Sequence, residues 1–245
     1  MKLKEKVALV TGGSRGIGAG IVRSMATEGA TVTFTFVGNE ASADELVKEI
    51  QAGGGRALAI RADSADSQAV TAAVDQVAKT FGRLDILVNS AGVSRGGTID
   101  QLSQDDFDLT FAINVRAVFV AIKAALKHMK EGGRIINIGS STVKWFSMPG
   151  ASAYVMSKAA VSGLTSSLAR DLGPRGITIN IVHPGPTATD MNPDGTEFAT
   201  MMKNLMPFKK YGHPKEIGNV VAFLASPEAS FVNGTSIMVD GGHTA

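Results

Sequence analysis

The chain has no cysteine, one tryptophan, two tyrosines and four histidines among its 245 residues. Without thiols there is no disulfide, no cysteine nucleophile and no thiolate zinc site. The scattered histidines have no metal-ligand spacing, so no metal is expected. An excess of charge of one sign is also missing: 24 Lys and Arg face 22 Asp and Glu, and aromatics make up only 6%. With no basic run and few stacking side chains, nucleic acid is not an expected partner. Long hydrophobic runs are absent as well. The longest, "FAINVRAVFVAIKAAL", is interrupted by Asn114, Arg116 and Lys123 and is unsuited to a bilayer. The opening "MKLKEKVALVTGG" imitates a signal peptide, but its apolar run is only Val7 to Val10. The expectation is a soluble, cytoplasmic protein with no membrane partner.

What is present is apolar residues (44%) and 28 glycines spread along the chain, enough for one substantial core and many tight turns. A single domain over 1–245 is expected. Short β-branched runs at 7–10, 31–36, 56–60, 85–88, 134–138, 178–182 and 236–239 alternate with helix-length segments. Strands that are apolar almost throughout are buried on both faces. The alternation therefore predicts an α/β fold, a Rossmann-type doubly wound parallel seven-stranded sheet with helices on both faces. The interval between the sixth and seventh strands is unusually long and rich in proline and methionine, which predicts a substrate flap at about 190–212.

"VTGGSRGIG" follows the first strand and opens the first helix. Gly12, Gly16 and Gly18 would let the backbone turn and approach a pyrophosphate, with Ser14, Arg15 and Ile17 between them, and the helix N-terminus would meet the anion. An NAD-selective site carries an acid at the end of the second strand. Here Phe36 and Val37 stand there, and the Arg15 guanidinium could pair with a 2′-phosphate. NADP(H) is therefore favoured, with Glu40 as an alternative, displaced acid.

Together these features resemble the short-chain dehydrogenase/reductase superfamily along essentially the whole chain. The matching motifs are Thr11-Gly12-x-x-x-Gly16-x-Gly18, Asp63, Asn89-Ser90-Ala91-Gly92, Asn114, Ser141, Tyr154-x-x-x-Lys158 and Pro184-Gly185. The resemblance implies that Asp63 and Ser64 face the adenine and that Asn89, Ala91 and Gly92 line the ribose side. It also implies that Pro184, Gly185, Thr187 and Thr189 hold the nicotinamide end. Tyr154 would be the general acid in carbonyl reduction, Ser141 a donor to the same oxygen, and Asn114 part of a proton relay. Ser141 is chosen over Ser140 because the family spacing to the tyrosine is about thirteen residues.

Tyr154 and Lys158, at i and i+4, share a helix face. A free phenol titrates near 10. An ammonium roughly 5 Å away, at an effective dielectric of about 20, would lower that by about two units, which explains how tyrosine could work without histidine. Lys158 would also hold the cofactor ribose. Candidate substrate-lining residues are Ser94, Arg95, Trp145, Phe146, Met148, Met191, Met202 and Met206, suited to a small hydrophobic carbonyl compound.

Two other activities stay open. A 3-oxoacyl-carrier-protein reductase would grip its acidic partner with arginines; Arg175 is present, but the second one expected around Gly132 is missing. "RDLGPRGITINIVHPGPTATDMNP" and "PEASFV" also resemble a cyclic-di-GMP-binding regulatory member of the superfamily. The family further implies a homotetramer built through the long helices containing Asn114 and Tyr154 and through the last strand.

Overall fold

The computed structural model describes residues 1–145 and 148–245. Seven strands form one parallel sheet: β1 (Val7–Thr11), β2 (Thr31–Phe36), β3 (Arg56–Arg61), β4 (Ile86–Asn89), β5 (Arg134–Ile138), β6 (Thr178–Pro184) and β7 (Ser236–Val239). Their order is β3-β2-β1-β4-β5-β6-β7, the doubly wound arrangement expected from the sequence. All five residues of β1 and of β5, and all seven of β6, are buried, polar ones such as Asn137, Asn180 and His183 included.

Among the described residues, eight α-helices surround the sheet: α1 (Gly16–Thr27), α2 (Glu40–Ala52), α3 (Ser67–Phe81), α4 (Gln104–Phe111), α5 (Ala117–Ala125), α6 (Ser152–Leu172), α7 (Glu197–Leu205) and α8 (Pro214–Ala225). One core includes Ile21, Met25, Phe34, Ile136 and Val221. A second includes Leu9, Val74, Leu87, Ala121 and Ile179. Neighbouring strand residues such as Leu9 and Val10 enter different cores, because side chains alternate across a sheet.

Two features of this frame position the site. First, α1 and α8 cross with almost no gap. A Cβ on Gly20 would fall 2.5 Å from the Pro214 carbonyl, and one on Gly218 would fall 2.5 Å from the Gly20 oxygen. The helix that opens after the glycine loop is thus locked to the helix that closes the 190–212 interval. Second, α4 and α5 are joined by a π-helical turn, Ala112–Arg116, which contains Asn114. Such turns shift backbone pairing by one residue and recur at functional sites.

The 190–212 interval is not a bare loop. Thr196 caps α7 by accepting from Ala199 N, and Ala199, Met202, Met206 and Tyr211 form a small core of their own. A parallel bridge between Thr187 and Gly212 closes its base. No helix among the described residues is long and apolar enough to cross a membrane.

Candidate active site

The glycine loop turns at the end of β1. Gly12 has φ +66, and a Cβ there would lie 2.8 Å from Ala91 Cα; a Cβ on Gly18 would lie 2.1 Å from the Gly12 oxygen. Both positions therefore require glycine, the first for conformation as well as space. Thr35 Oγ1 accepts from Gly12 N at 3.0 Å, and Thr11 Oγ1 accepts from Ser90 N and Ala91 N, each at 3.1 Å. These bonds tie β1, β2 and β4 together where the strand order reverses, the position at which doubly wound sheets bind ligands.

Three observations fit a dinucleotide at this edge. The N-terminus of α1 has no side-chain cap, whereas α2, α3, α4, α7 and α8 are capped by Asn39, Asp66, Ser103, Thr196 and His213. Its free N–H groups suit an anion. The buried Asn89 donates through Nδ2 to Asn137 Oδ1 at 2.8 Å, while its own Oδ1 has no partner. Lys158 Nζ, on a side chain 5% exposed, donates to Ile138 O at 2.9 Å, leaving two of its three N–H donors available.

The remaining cofactor candidates surround this edge. Arg15 is exposed, and Ser14 and Ile17 are half-buried in the loop. At the end of β2, Phe36 is buried and Val37 is 50% exposed, so no acid stands there. Glu40 is exposed in the first turn of α2, where a carboxylate is favourable to the helix dipole. Asp63 is exposed and accepts from Ala65 N at 2.8 Å, with Ser64 buried beside it. Beyond Pro184, Thr187 donates to Gly185 O at 2.9 Å. The Thr189 methyl lies 3.3 Å from where a Gly16 Cβ would be, so this strip runs against the glycine loop. Met191 is 57% exposed.

The catalytic candidates come from three elements. Tyr154 and Lys158 lie one turn apart at the start of α6, with Nζ 5.7 Å from the centre of the tyrosine ring. Asn114 is buried; its Oδ1 accepts from Val93 N at 2.9 Å, and its Nδ2 donates to Val93 O at 2.9 Å and to Ser157 Oγ at 3.0 Å. A Cβ on Gly92 would lie 3.4 Å from both Asn114 Oδ1 and Lys158 Nζ, so this glycine keeps the two side chains within reach of a common space.

Three expectations need correction. Ser141 was expected to share the reacting oxygen, but the serine whose side chain lowers the pKa of the Tyr154 phenol is Ser140. Ser141 is the first residue of a one-turn helix, Ser141–Val143, for which Ser140 is the cap. The second correction concerns protons. Burial pushes the Tyr154 phenol up, outweighing the lowering by Ser140, and burial lowers Lys158 to about 8. The ammonium is directed at the Ile138 carbonyl and the ring face rather than at the hydroxyl. The phenol is therefore neutral, as a proton donor must be. The third concerns Met202 and Met206, which are spent on the small core beneath α7 and are 5% and 2% exposed.

Of the other lining candidates, Trp145 is 43% exposed and packs edge-on against His243, with centroids 5.1 Å apart. Arg95 is paired with Asp106 at 3.7 Å. Phe146 lies outside the described residues. His183 and Thr142 both contact Ser140, although no motif in the sequence marks either of them.

Fold and site define a doubly wound α/β protein with the side-chain set of a dinucleotide-linked oxidoreductase. A family model described as enoyl-(acyl carrier protein) reductase matches residues 12–244, and the chain belongs to the short-chain dehydrogenase/reductase superfamily. A short-chain dehydrogenase from Burkholderia cenocepacia, solved in complex with NADP, is 51% identical with a TM-score of 0.98, each chain covered in full. A short-chain dehydrogenase/reductase from Serratia marcescens is 50% identical with the same TM-score and coverage. The cyclic-di-GMP-binding biofilm dispersal mediator protein of Escherichia coli is 46% identical over 236 residues, 96% of each chain.

Proposed function

We propose that the protein is an NADP(H)-dependent reductase that converts a small ketone or aldehyde to an alcohol. The observation that carries this reading is the convergence of a neutral Tyr154 phenol, Ser140 and the buried Lys158 ammonium beside Gly92 and Asn114. A bound nicotinamide dinucleotide supplies the hydride. Tyr154 gives its proton to the oxygen of the carbonyl as negative charge develops there. Ser140 donates a hydrogen bond to the same oxygen, a preorganised contact that strengthens in the transition state. Lys158 holds ribose hydroxyls with its free N–H groups, and its positive charge favours the phenolate left after proton transfer. Asn114, on the π-helical turn, orders the Val93 backbone at the mouth of the site.

Preference for NADP(H) over NAD(H) is supported by the absence of an acid at the end of β2, by the exposed Arg15, and by the NADP held in the Burkholderia relative. The carrier-protein reading is less well supported. Arg175 donates to Leu126 O at 2.7 Å, capping the end of α5. Gly132 has φ +82, a conformation an arginine would resist. The same proposal includes a single domain whose 190–212 flap covers the substrate, a cytoplasmic location and a homotetramer. The half-exposed Phe119 on α5, beside Asn114, supports assembly through these helices.

A second reading, nucleotide binding as a regulator, is favoured by the 46% identity to the cyclic-di-GMP-binding protein of Escherichia coli. One experiment separates the two. Oxidation of NADPH, with NADH in parallel, is followed against a β-ketoacyl thioester, a β-ketoester, an aryl ketone and a diketone. Turnover of small ketones with NADPH supports the reductase. No turnover of any carbonyl with either cofactor would sink it and bring nucleotide binding forward.

A further inference from the structure

Ser140 is held from two sides. Its Oγ accepts from Thr142 twice, from the backbone N–H at 3.3 Å and from the hydroxyl at 2.9 Å. A serine oxygen has two acceptor lone pairs and one proton. With both lone pairs engaged by Thr142, the proton is what Ser140 has left to offer Tyr154 or a substrate oxygen. Ser140 lowers the Tyr154 pKa, against the larger raising by burial.

The backbone of Ser140 is anchored by His183. This side chain, 1% exposed on β6, has Nδ1 3.1 Å from the Ser140 nitrogen and 3.0 Å from its carbonyl oxygen; the tautomer decides which of the two it pairs with. Burial pushes the imidazole pKa down despite the Ser140 backbone bond, and the nearby Lys158 charge adds to the lowering, so the ring is neutral. Gly139 makes the contact feasible, since a Cβ there would fall 2.4 Å from Nδ1. Imidazole and glycine are complementary in shape, and together they fix where the chain leaves β5.

We propose that Thr142 and His183 are positioning residues for carbonyl reduction: Thr142 turns the Ser140 hydroxyl into a one-way donor to the reacting oxygen, and His183 holds the backbone that carries it. The kinetic consequence rests on the reductase reading above; the hydrogen-bond arrangement does not, and the test separates them.

With only two tyrosines in the chain, protein labelled with 13Cζ-tyrosine gives two resonances, and Tyr211→Phe assigns them. Thr142→Val should raise the titration midpoint of Tyr154 in the same direction as Ser140→Ala. Added to Ser140→Ala it should shift nothing further, and Thr142→Ser should restore the wild-type midpoint. His183→Asn, whose amide can replace the Nδ1 contact, should keep that midpoint. In turnover, Thr142→Val should lower kcat about fivefold, the size of one neutral hydrogen bond, with NADPH affinity unchanged. A Thr142→Val protein with wild-type midpoint and kcat overturns the proposal, as does an equal shift in the Ser140→Ala background. A wild-type protein that reduces nothing while Thr142→Val still raises the midpoint would sink the reductase and leave the positioning role standing.

Discussion

Lys158 Nζ lies 5.7 Å from the centre of the Tyr154 ring, yet its hydrogen bond goes to Ile138 O at 2.9 Å. The lysine is therefore anchored to the end of β5 and stands against the face of the tyrosine ring rather than at its hydroxyl. Lys158 is buried and Tyr154 half-buried, and desolvation moves each towards its neutral form. The phenol holds its proton, and an ammonium near pH 8 is close to losing one.

The first prediction concerns proton donation. Tyr154→Phe removes one hydroxyl and little else, so turnover should fall by about 10²-fold to 10⁴-fold, the range for general acid catalysis. Cofactor affinity, measured by calorimetry, should change little. Turnover within a factor of two of wild type would remove Tyr154 from the mechanism.

The two serines are separable. Ser140→Ala should lower kcat by about 10²-fold, as for loss of a preorganised donor to a developing oxyanion, whereas Ser141→Ala should stay close to wild type. The reverse ranking, in parallel assays, would reinstate the spacing argument for Ser141.

Burial of Lys158 has a consequence for stability. Its folded pKa of about 8 is below the unfolded value of 10.5. Between these values the unfolded chain binds more protons, so the stability of the cofactor-free protein should rise as pH increases from about 8 towards 10.5. At pH 7 the charged form is the destabilised one. Lys158→Met should therefore be more stable than wild type at pH 7, by about 2 kcal/mol after loss of the Ile138 bond, and the advantage should shrink by pH 10. Urea midpoints across this range test the sign; a Lys158→Met protein less stable at pH 7 would contradict it. The same variant should lose cofactor affinity, because its N–H donors are gone.

Cofactor choice should respond to Arg15. Arg15→Glu is expected to raise the KM for NADPH by about tenfold or more, from loss of a charge-assisted phosphate contact, while leaving the KM for NADH nearly unchanged. Equal effects on both cofactors would indicate that Arg15 does not read the 2′-phosphate.

Most of the frame was legible in the chain because it depends on local periodicity and on residues with few substitutes. Short runs rich in β-branched and apolar residues marked the seven strands to within a residue or two. Gly12 and Gly18 were legible because no Cβ fits at their approaches to Ala91 and to the Gly12 oxygen. The i, i+4 spacing of Tyr154 and Lys158 is enough to place them on one helix face.

What depended on contacts distant in sequence was not legible. Whether Ser140 or Ser141 meets the tyrosine is decided by where β5 releases the chain and by His183 reaching across from β6. Met202 and Met206 could have lined the substrate space, but the turn of α7 directs them against Ala199 and Tyr211. Charge alone pointed the Tyr154 pKa down, whereas desolvation in the folded site pushes it up, and desolvation is set by contacts distant in sequence. Sequence by itself determined the sheet, the glycine loop and the candidate catalytic residue types, through periodicity and steric necessity. Only the tertiary structure decided which hydroxyl points at which oxygen and which groups keep their protons, because those depend on burial and on angles that spacing along the chain does not encode.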